Sequence, residues 1–433
     1  MEAKRVTAID IGTTKIVALT GEITEDNKVE VVDMGVYNSM GVERGIVQNA
    51  ERTSVAIRKA LEQIQHNASE IQEVWVGIAG QHVRSMMTSY KLDFENAQHV
   101  VRIDDLEKLF ERCYQINTNP GEMVVHVAPQ NFLTLDQRRL QNPIGKKTNF
   151  LSGNFHLTIA QKSAYDNIKK SLEINHIKAK ELVLESIASA KSVLTQEDIE
   201  EGIALIDIGG GTSDIAIFNK GEVVHSAVIP FGGEVITADI MAAFNIERRY
   251  AEALKHEFGT VLHSSSNSEV ISLKDALGEK IKINQKDLTL VIKARMEEII
   301  DLIKFQFELS GYAEQLARGI VLTGGGALLQ DLRQLFAFHF SRFSIRIGKP
   351  NKQFFLGPIH QSLNDPIFST ATGLLLYGIE MEQREEQQKA REEDTIQSEK
   401  IEEADRQRVP KTPFFDVVRK KVQDMFKEED NEL

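Results

Sequence analysis

Twice in this chain an apolar strand runs into Asp-Ile-Gly, turns on hydroxyl residues and returns as a second apolar strand. The first copy is Val6-Thr-Ala-Ile-Asp10-Ile-Gly12-Thr13-Thr14-Lys15-Ile-Val-Ala-Leu19. The second is Ile203-Ala-Leu-Ile-Asp207-Ile-Gly209-Gly210-Gly211-Thr212-Ser213-Asp214-Ile-Ala-Ile-Phe218. Neither has helical period, and the β-branched residues around the glycines favour hairpins. A tip of glycines and hydroxyls suits a phosphate, because the backbone can approach closely and N–H and O–H groups can point at the anion. A carboxylate beside such a cradle is repulsive unless a cation lies between, so Asp207 predicts Mg²⁺ held partly through water. An ordinary turn is the plain alternative for either hairpin alone. A third glycine turn, Gly324-Gly325-Gly326, ends the apolar strand from Gly319 and is read as opening a helix. Two matching hairpins imply two similar domains facing each other across one nucleotide. The third loop then offers a helix N-terminus for phosphate or nucleoside.

The 433 residues suffice for two or more domains with a substantial core. Hydrophobic content of 42% and charged content of 27% are those of a soluble globular protein. Lys and Arg number 51 against 64 Asp and Glu, net −13, which argues against a nucleic-acid binder. The single Cys113 excludes an internal disulfide framework, fits a reducing cytoplasm, and amid Phe110, Tyr114 and Ile116 reads as buried filler. Met1-Glu-Ala-Lys-Arg5 runs straight into a strand, so no secretory leader is read there. No apolar stretch is long enough to cross a bilayer. The expectation is a cytoplasmic protein, unless something on its surface brings it to a membrane.

Along the chain, Lys28–Val36 alternates like a further strand, Asn49–Asn67 reads as a helix, and Glu73–Gly80 as a buried strand ending in glycine. That order suits an α/β domain. From Val83 to Ala160 the pattern breaks into a helix at Asp104–Asn117 and short strands such as Glu122–Val127, an inserted α+β subdomain with no concentrated chemistry. His126 and His156 there read as ordinary hydrogen-bonded residues. Glu185 sits where the strand Glu181–Leu184 meets a helix. A carboxylate in a cleft can orient or deprotonate an attacking water; equally, an acid at a helix start is stabilised by the dipole. Further helices are expected at Glu234–Phe244, Ile246–Lys255, Leu288–Leu309, Asp331–His339 and Phe368–Gly378. Residues 259–284 are polar and Ser-rich, with no clear element.

From Met381 to Val409 ten acidic and six basic residues with almost nothing apolar read as a solvated linker. Pro410 to Lys427 then holds five basic and two acidic residues, net +3. At 100° per residue Phe414, Phe415, Val418, Val422, Met425 and Phe426 fall within roughly a third of the circumference. Arg419 and Lys421 flank that stripe. Bulky Phe on one face with basic flanks marks a helix lying in a membrane interface, its Lys and Arg reaching anionic headgroups. Docking back on the protein's own core is the alternative.

Two Asp-Ile-Gly hairpins, the Glu-led helix at Glu185, the Gly324–Gly326 loop and the closing Ala371-Thr-Gly-Leu-Leu-Leu-Tyr-Gly378 resemble the nucleotide motifs of the actin, Hsp70 and sugar-kinase superfamily. Within it the chain most resembles the FtsA family of bacterial actin-like cell-division proteins. The carriers are Val76-Gly-Ile-Ala-Gly80, His126-Val-Ala-Pro-Gln-Asn-Phe132, Asn142-Pro-Ile-Gly145, Ile229-Pro-Phe-Gly-Gly233, Ile236-Thr-Ala-Asp239-Ile and Ala251-Glu-Ala-Leu-Lys255. The insert between the first motifs and the linker ending in an amphipathic helix belong to the same pattern. Ser186 stands where the family usually has proline, and Lys146-Lys147 replaces a Gly-Met-like continuation.

The resemblance implies an α/β, actin-like fold of two facing domains with related topology. Domain IA would cover 1–83, 162–199 and 366–380, the inserted IC 84–161, IIA 200–247 and 311–365, and IIB 248–310. The linker 381–409, the membrane-targeting helix 410–427 and an acidic tail 428–433 would follow. It also implies ATP and Mg²⁺ as cofactors. Asp10 and Asp207 would hold the ion through waters. Gly12, Thr13, Thr14, Lys15 and Gly209, Gly210, Gly211 and Thr212 would bind phosphates, Gly324, Gly325 and Gly326 the nucleoside, and Glu252 and Lys255 the base or ribose, with Gly233 beside them. Glu185 and Asp207 would carry any catalysis, a weak ATPase at most. Arg295 matches a position implicated in binding the C-terminal tail of FtsZ, the tubulin-like ring protein. The family tethers FtsZ filaments to the inner face of the cytoplasmic membrane at the division site, polymerises like actin and meets other divisome proteins. The rival reading is a small-metabolite kinase of the same superfamily, which would need neither the insert nor the terminal helix. A chaperone would need a β-rich peptide-binding domain that the sequence lacks.

Overall fold

The computed structural model describes residues 5–24, 28–64, 71–96, 98–135, 139–262, 270–274, 280–351, 355–356 and 361–383. The expected linker from 384 on, the amphipathic helix 410–427 and the acidic tail lie outside the described residues.

Both hairpins form. Arg5–Ile11 pairs antiparallel with Lys15–Ile23, and Ile203–Ile208 with Ser213–Asn219. Each grows in the same way. A third antiparallel strand, Val29–Asn38 or Glu222–Ile229, adds beside the returning arm. Parallel strands add beside the first arm, Glu73–Ile78 then Lys178–Leu184 in one sheet, Ile320–Thr323 then Ile345–Ile347 in the other. Two sheets of one topology are what a duplicated hairpin demands, so the expectation of two related α/β halves is met. The central strands Ile203–Ile208 and Ser213–Asn219 are buried at every position, as strands covered on both faces must be.

Capping fixes the helices. Asn49 Oδ1 accepts from the Arg52 N–H at 2.8 Å to start Ala50–Leu61, and Asn284 does the same for Lys286 at the head of Gln285–Ser310. Gly311, with φ of 70°, ends that 26-residue helix in the left-handed conformation. Its buried stripe, Leu288, Ile292, Met296, Ile299, Ile303 and Phe307, joins the core under the second sheet.

Contacts divide the chain into two compact units, one of Met1–Arg84 with Ser163–Leu376 and one of Ser85–Lys162 with the residues from Tyr377. The second unit carries the strands Val83–Asp93, Phe150–Gln161, Glu122–Thr134 and Arg139–Leu140 in that sheet order, with the helix Ile103–Tyr114. Its long strands replace the short ones expected. Pro129, inside the strand Glu122–Thr134, pairs with Phe155 at a register shift in the ladder, where a missing N–H is tolerated. Phe110, Phe132 and Phe155 pack edge to face, with centroids 5.2 and 6.0 Å apart. Cys113 lies in this core, and burial pushes its thiol up to about 12, so it is filler as expected.

Other differences are local. The first helix stops at Leu61, and residues 259–284 hold a hairpin, Val270–Lys274 with Lys280–Asn284. Helical residues 369–383 run three residues into the stretch read as linker. The loop at Gly324 does not open an α-helix. It leads into a short 3-10 turn, Gly325–Leu328, and the α-helix begins only at Leu332. The helix N-terminus expected at that loop is therefore a tight turn, without an α-helix dipole behind it.

His82 lies buried against Gly80, and neither ring nitrogen finds a hydrogen-bond partner among the described residues. Burial lowers it from the ordinary 6.5 to about 4. Below the ordinary value the unfolded chain takes a proton that the folded chain refuses, so stability falls as pH drops from about 6.5 to about 4. His82→Phe is expected to flatten this part of a plot of Tm against pH. Parallel curves for the two proteins would mean that the imidazole titrates normally.

Candidate nucleotide site

The two glycine tips meet. A Cβ built on Gly210 would lie 2.4 Å from Thr14 Cγ2, and one on Gly211 would lie 2.4 Å from Thr13 Oγ1 and 2.7 Å from Arg44 Cα. Only hydrogen at those positions lets the second tip approach the first so closely. Thr13 Oγ1 accepts the Gly45 N–H at 2.9 Å, tying the first tip to the loop after Asn38. Thr212 Oγ1 donates to Asp214 Oδ2 at 2.8 Å, so its proton is committed inside the second hairpin.

Acidic groups gather behind the tips. Asp10, Asp207 and Asp214 are buried, and Glu185, heading the helix Glu185–Val193, lies against Gly77. Burial pushes the Asp10 carboxyl up to about 6, with Lys15 pulling it back and Asp207 adding repulsion. Burial raises Asp207 as well, opposed by hydroxyl bonds from Ser189 and Thr370 and by the Lys15 charge. Asp214 is pushed up to about 7, by burial first and Asp207 next. Glu185 is raised well above the carboxylate range by burial, then by Asp10, Asp214 and Asp207. These groups cannot all ionise with Lys15 as the cation among them. Asp214 Oδ1 is buried and without a hydrogen-bond partner among the described residues. No three His, Cys, Asp or Glu side chains of the described residues come close enough to cage a metal directly. Hard carboxylate oxygens set apart in this way fit an ion that keeps its waters, and Mg²⁺ is such an ion.

The third loop closes the other side of Asp207. Gly324 has φ of 80°, and a Cβ there would fall 2.2 Å from Asp207 Oδ1; only glycine takes this conformation against a carboxylate without strain. A Cβ on Gly326 would run into Ile208, while one on Gly325 would meet Ile367 Cγ2 at an ordinary 3.7 Å. Behind the second tip, Gly209 O and Gly210 O accept the N–H groups of Gly233 and Glu234 at 2.9 and 2.8 Å. The first N–H groups of the helix Gly233–Phe244 thus hold the tip in shape. Lys255 Nζ donates to Gly233 O at 3.0 Å, to Thr237 Oγ1 at 2.7 Å and to Glu252 Oε2 at 3.0 Å. Gly209, Gly233, Lys255 and Glu252 therefore share one hydrogen-bonded path.

Arg295 stands apart, on the long helix Gln285–Ser310. Its Nε and Nη2 donate to the two oxygens of Asp239 at 2.6 and 3.0 Å, and Nη1 to Glu298. The guanidinium lies 5.8 Å from the Phe231 ring centroid.

Sequence reasoning passed over Asp214, Ser189 and Thr370. For Asp214 a signal was present. It faces Asp207 across the antiparallel ladder, and like charges directly opposite one another are destabilising. A carboxylate inside a wholly buried strand needs a reason, and the tip supplies one. Ser189 and Thr370 lie far away in sequence and had no local signal.

Solved structures share this architecture. A chain of the PilM–PilN type IV pilus biogenesis complex matches with a TM-score of 0.63 at 15% identity, covering 86% of this chain and 98% of that one. MreB5 of Spiroplasma citri bound to ADP matches with 0.53 at 15% identity over 87% and 97%. The fold is actin-like. Family models for cell division protein FtsA and for the SHS2 domain inserted in FtsA match residues 204–373 and 80–159. FtsA of Pseudomonas aeruginosa is 32% identical over 380 residues, 87% of this chain and 90% of its own length. FtsA of Escherichia coli K12 is 30% identical over 389 residues, 88% and 91%. The chain belongs to the FtsA family of cell-division proteins.

The contact between the tips has a mutational signature. Gly211→Ala meets the Arg44 backbone, whereas Gly210→Ala meets a side chain that can turn away. Gly211→Ala is expected to cost about 1–3 kcal/mol and Gly210→Ala less, read from denaturant melts. The reverse order would contradict this packing.

Proposed function

We propose that this chain binds ATP with Mg²⁺ between its two hairpins, assembles into actin-like filaments, and tethers FtsZ filaments to the cytoplasmic membrane at the division site. The observation that carries the nucleotide reading is the contact of two glycine-hydroxyl tips over a buried set of mutually repelling carboxylates. Membership of the FtsA family and the actin-like fold support the rest.

In this reading Asp10 and Asp207 hold the ion through water, and the ion supplies positive charge to the phosphates. Gly12, Thr13, Thr14 and Lys15, with Gly209–Thr212, line the phosphate path. Gly324–Gly326, Gly233, Glu252 and Lys255 surround the nucleoside. Glu185 positions water for any slow hydrolysis.

The FtsZ tail is assigned to the face around Arg295. An acidic tail would exchange for Glu298, whose side chain is 63% exposed, sooner than for Asp239 at 29%. Membrane contact is assigned to Phe414, Phe415, Val418, Val422, Met425 and Phe426, with Arg419 and Lys421 toward headgroups. Among the described residues no helix is long and apolar enough to cross a bilayer.

Asp207→Ala is expected to weaken ATP·Mg²⁺ at least tenfold, about 1.4 kcal/mol, in a titration with a fluorescent ATP analogue. An unchanged curve would end the shared-site reading. The full chain is expected to pellet with anionic vesicles, and more with ATP, while a chain ending at Val409 stays in the supernatant yet binds ATP. Equal pelleting would remove the helix from the account. Arg295→Glu is expected to weaken binding of an FtsZ tail peptide while leaving ATP affinity alone, and Glu298→Ala to strengthen it; no effect of either would place the tail elsewhere.

A further inference from the structure

Asp207 belongs to the second hairpin, yet the hydroxyls bonded to its carboxylate come from two helices outside that sheet. Ser189 Oγ donates to Oδ2 at 2.6 Å and Thr370 Oγ1 to the same oxygen at 3.2 Å, with the two hydroxyls 3.0 Å apart. Ser189 is fully buried on Glu185–Val193, one turn beyond Glu185, and Thr370 is half-buried in the helical residues 369–383. Next to Asp207 in the parallel ladder stands Thr323, whose hydroxyl donates to Gly348 O at 3.1 Å and lies 2.6 Å from Ser369 Oγ. With the Thr323 proton so committed, Ser369 is the donor. Ser192 Oγ completes the seam, donating to Ser369 O at 2.7 Å.

The helix Glu185–Val193 thus reaches Asp207, and the helical residues 369–383 reach both Asp207 and its ladder neighbour Thr323, each time by hydroxyls, while Ser192 ties the two helices together. A packing role alone would not require polar groups in this interior, since burying them is unfavourable unless each is bonded. Hydroxyl bonds to a carboxylate fix its rotamer, and a second-sphere anion can attract a water-bound ion only if it stays in place.

We propose that Ser189 and Thr370 are positioning residues for Asp207, and that this hydroxyl seam links occupancy of the Mg²⁺·nucleotide site to the helices Glu185–Val193 and 369–383. The inference rests on the nucleotide reading above. Nucleotide binding sensed at Asp207 reaches both helices through two short bonds, with no larger rearrangement needed.

The test uses the full chain, ATP analogue titrations at graded Mg²⁺ and in EDTA, and backbone hydrogen exchange. Ser189→Ala and Thr370→Val are each expected to raise the Mg²⁺ concentration for half-maximal binding about tenfold, the worth of one hydrogen bond to a charged group. Binding in EDTA should be unchanged. Thr370→Ser keeps the hydroxyl and should match the parent chain. Nucleotide should slow exchange across 185–193 and 369–376 in the parent and not in the double variant. If the parent shows no Mg²⁺-dependent binding, the site reading fails and takes the inference with it. If the parent binds but the variants copy its Mg²⁺ dependence and exchange, the inference alone fails. Equal losses in Thr370→Ser and Thr370→Val would also overturn it, because packing would then be the cause. Should Ser189→Ala not fold, the Thr370 pair decides.

Discussion

Two aspartates face each other across the second hairpin, Asp207 and Asp214, in strands where every other position is buried. No folding argument favours that pair. Like charges in register oppose the ladder, and burial raises the cost of ionising either. The hairpin forms because its apolar residues fill the core under the sheet, and that stabilisation carries the acids along. Asp10 and Glu185 add to their mutual repulsion, and Lys15 opposes it. A surface of this kind is stable as a neutral, protonated cluster or as an anionic one with a cation present. The rest of the molecule holds it in that divided condition.

The surrounding bonds are devoted to geometry. The N–H groups of Gly233 and Glu234 are spent on the carbonyls of Gly209 and Gly210, and Lys255 is spent on Gly233 O, Thr237 and Glu252. A lysine with three bonds made is a fixed post, and contributes shape before charge. Gly324 presses its backbone on Asp207 from one side while Ser189 and Thr370 hold the other oxygen. Preorganisation of this sort lowers the reorganisation needed when a charged ligand arrives.

Much of this was legible in sequence because it was local. Each hairpin carries its strand period, its turn and its acid within about fifteen residues, and the duplication of the motif foretold the duplication of the sheets. Helices with caps, such as the one after Asn49, were legible for the same reason. What stayed hidden depends on residues brought together from a distance. Ser189 and Thr370 meet only because two helices converge on one strand. The strand read as ending at Val127 runs on through Pro129 to Thr134, because a bulge that tolerates proline leaves no mark in a single sequence. The third loop misled for a subtler reason: its glycines signal close approach, and here they approach a carboxylate and Ile208 while the helix waits until Leu332. Glycine shows that the backbone is crowded without showing by what.

On the function proposed above, the contacts that join this protein to others are individually weak. A tail carboxylate at Arg295 would replace Glu298 in an existing pair, so the exchange trades one half-exposed ion pair for another and gains little. A single amphipathic helix with six apolar side chains on its stripe gives a similarly modest hold on lipid. Both become strong only when many copies act together, because each further attachment is then intramolecular at high effective concentration. Assembly thus sets the strength of both attachments at once. Whatever biases assembly need not touch the tail site or the membrane helix. The proposed nucleotide site, with its central acid bonded to helices outside its own sheet, would supply that bias.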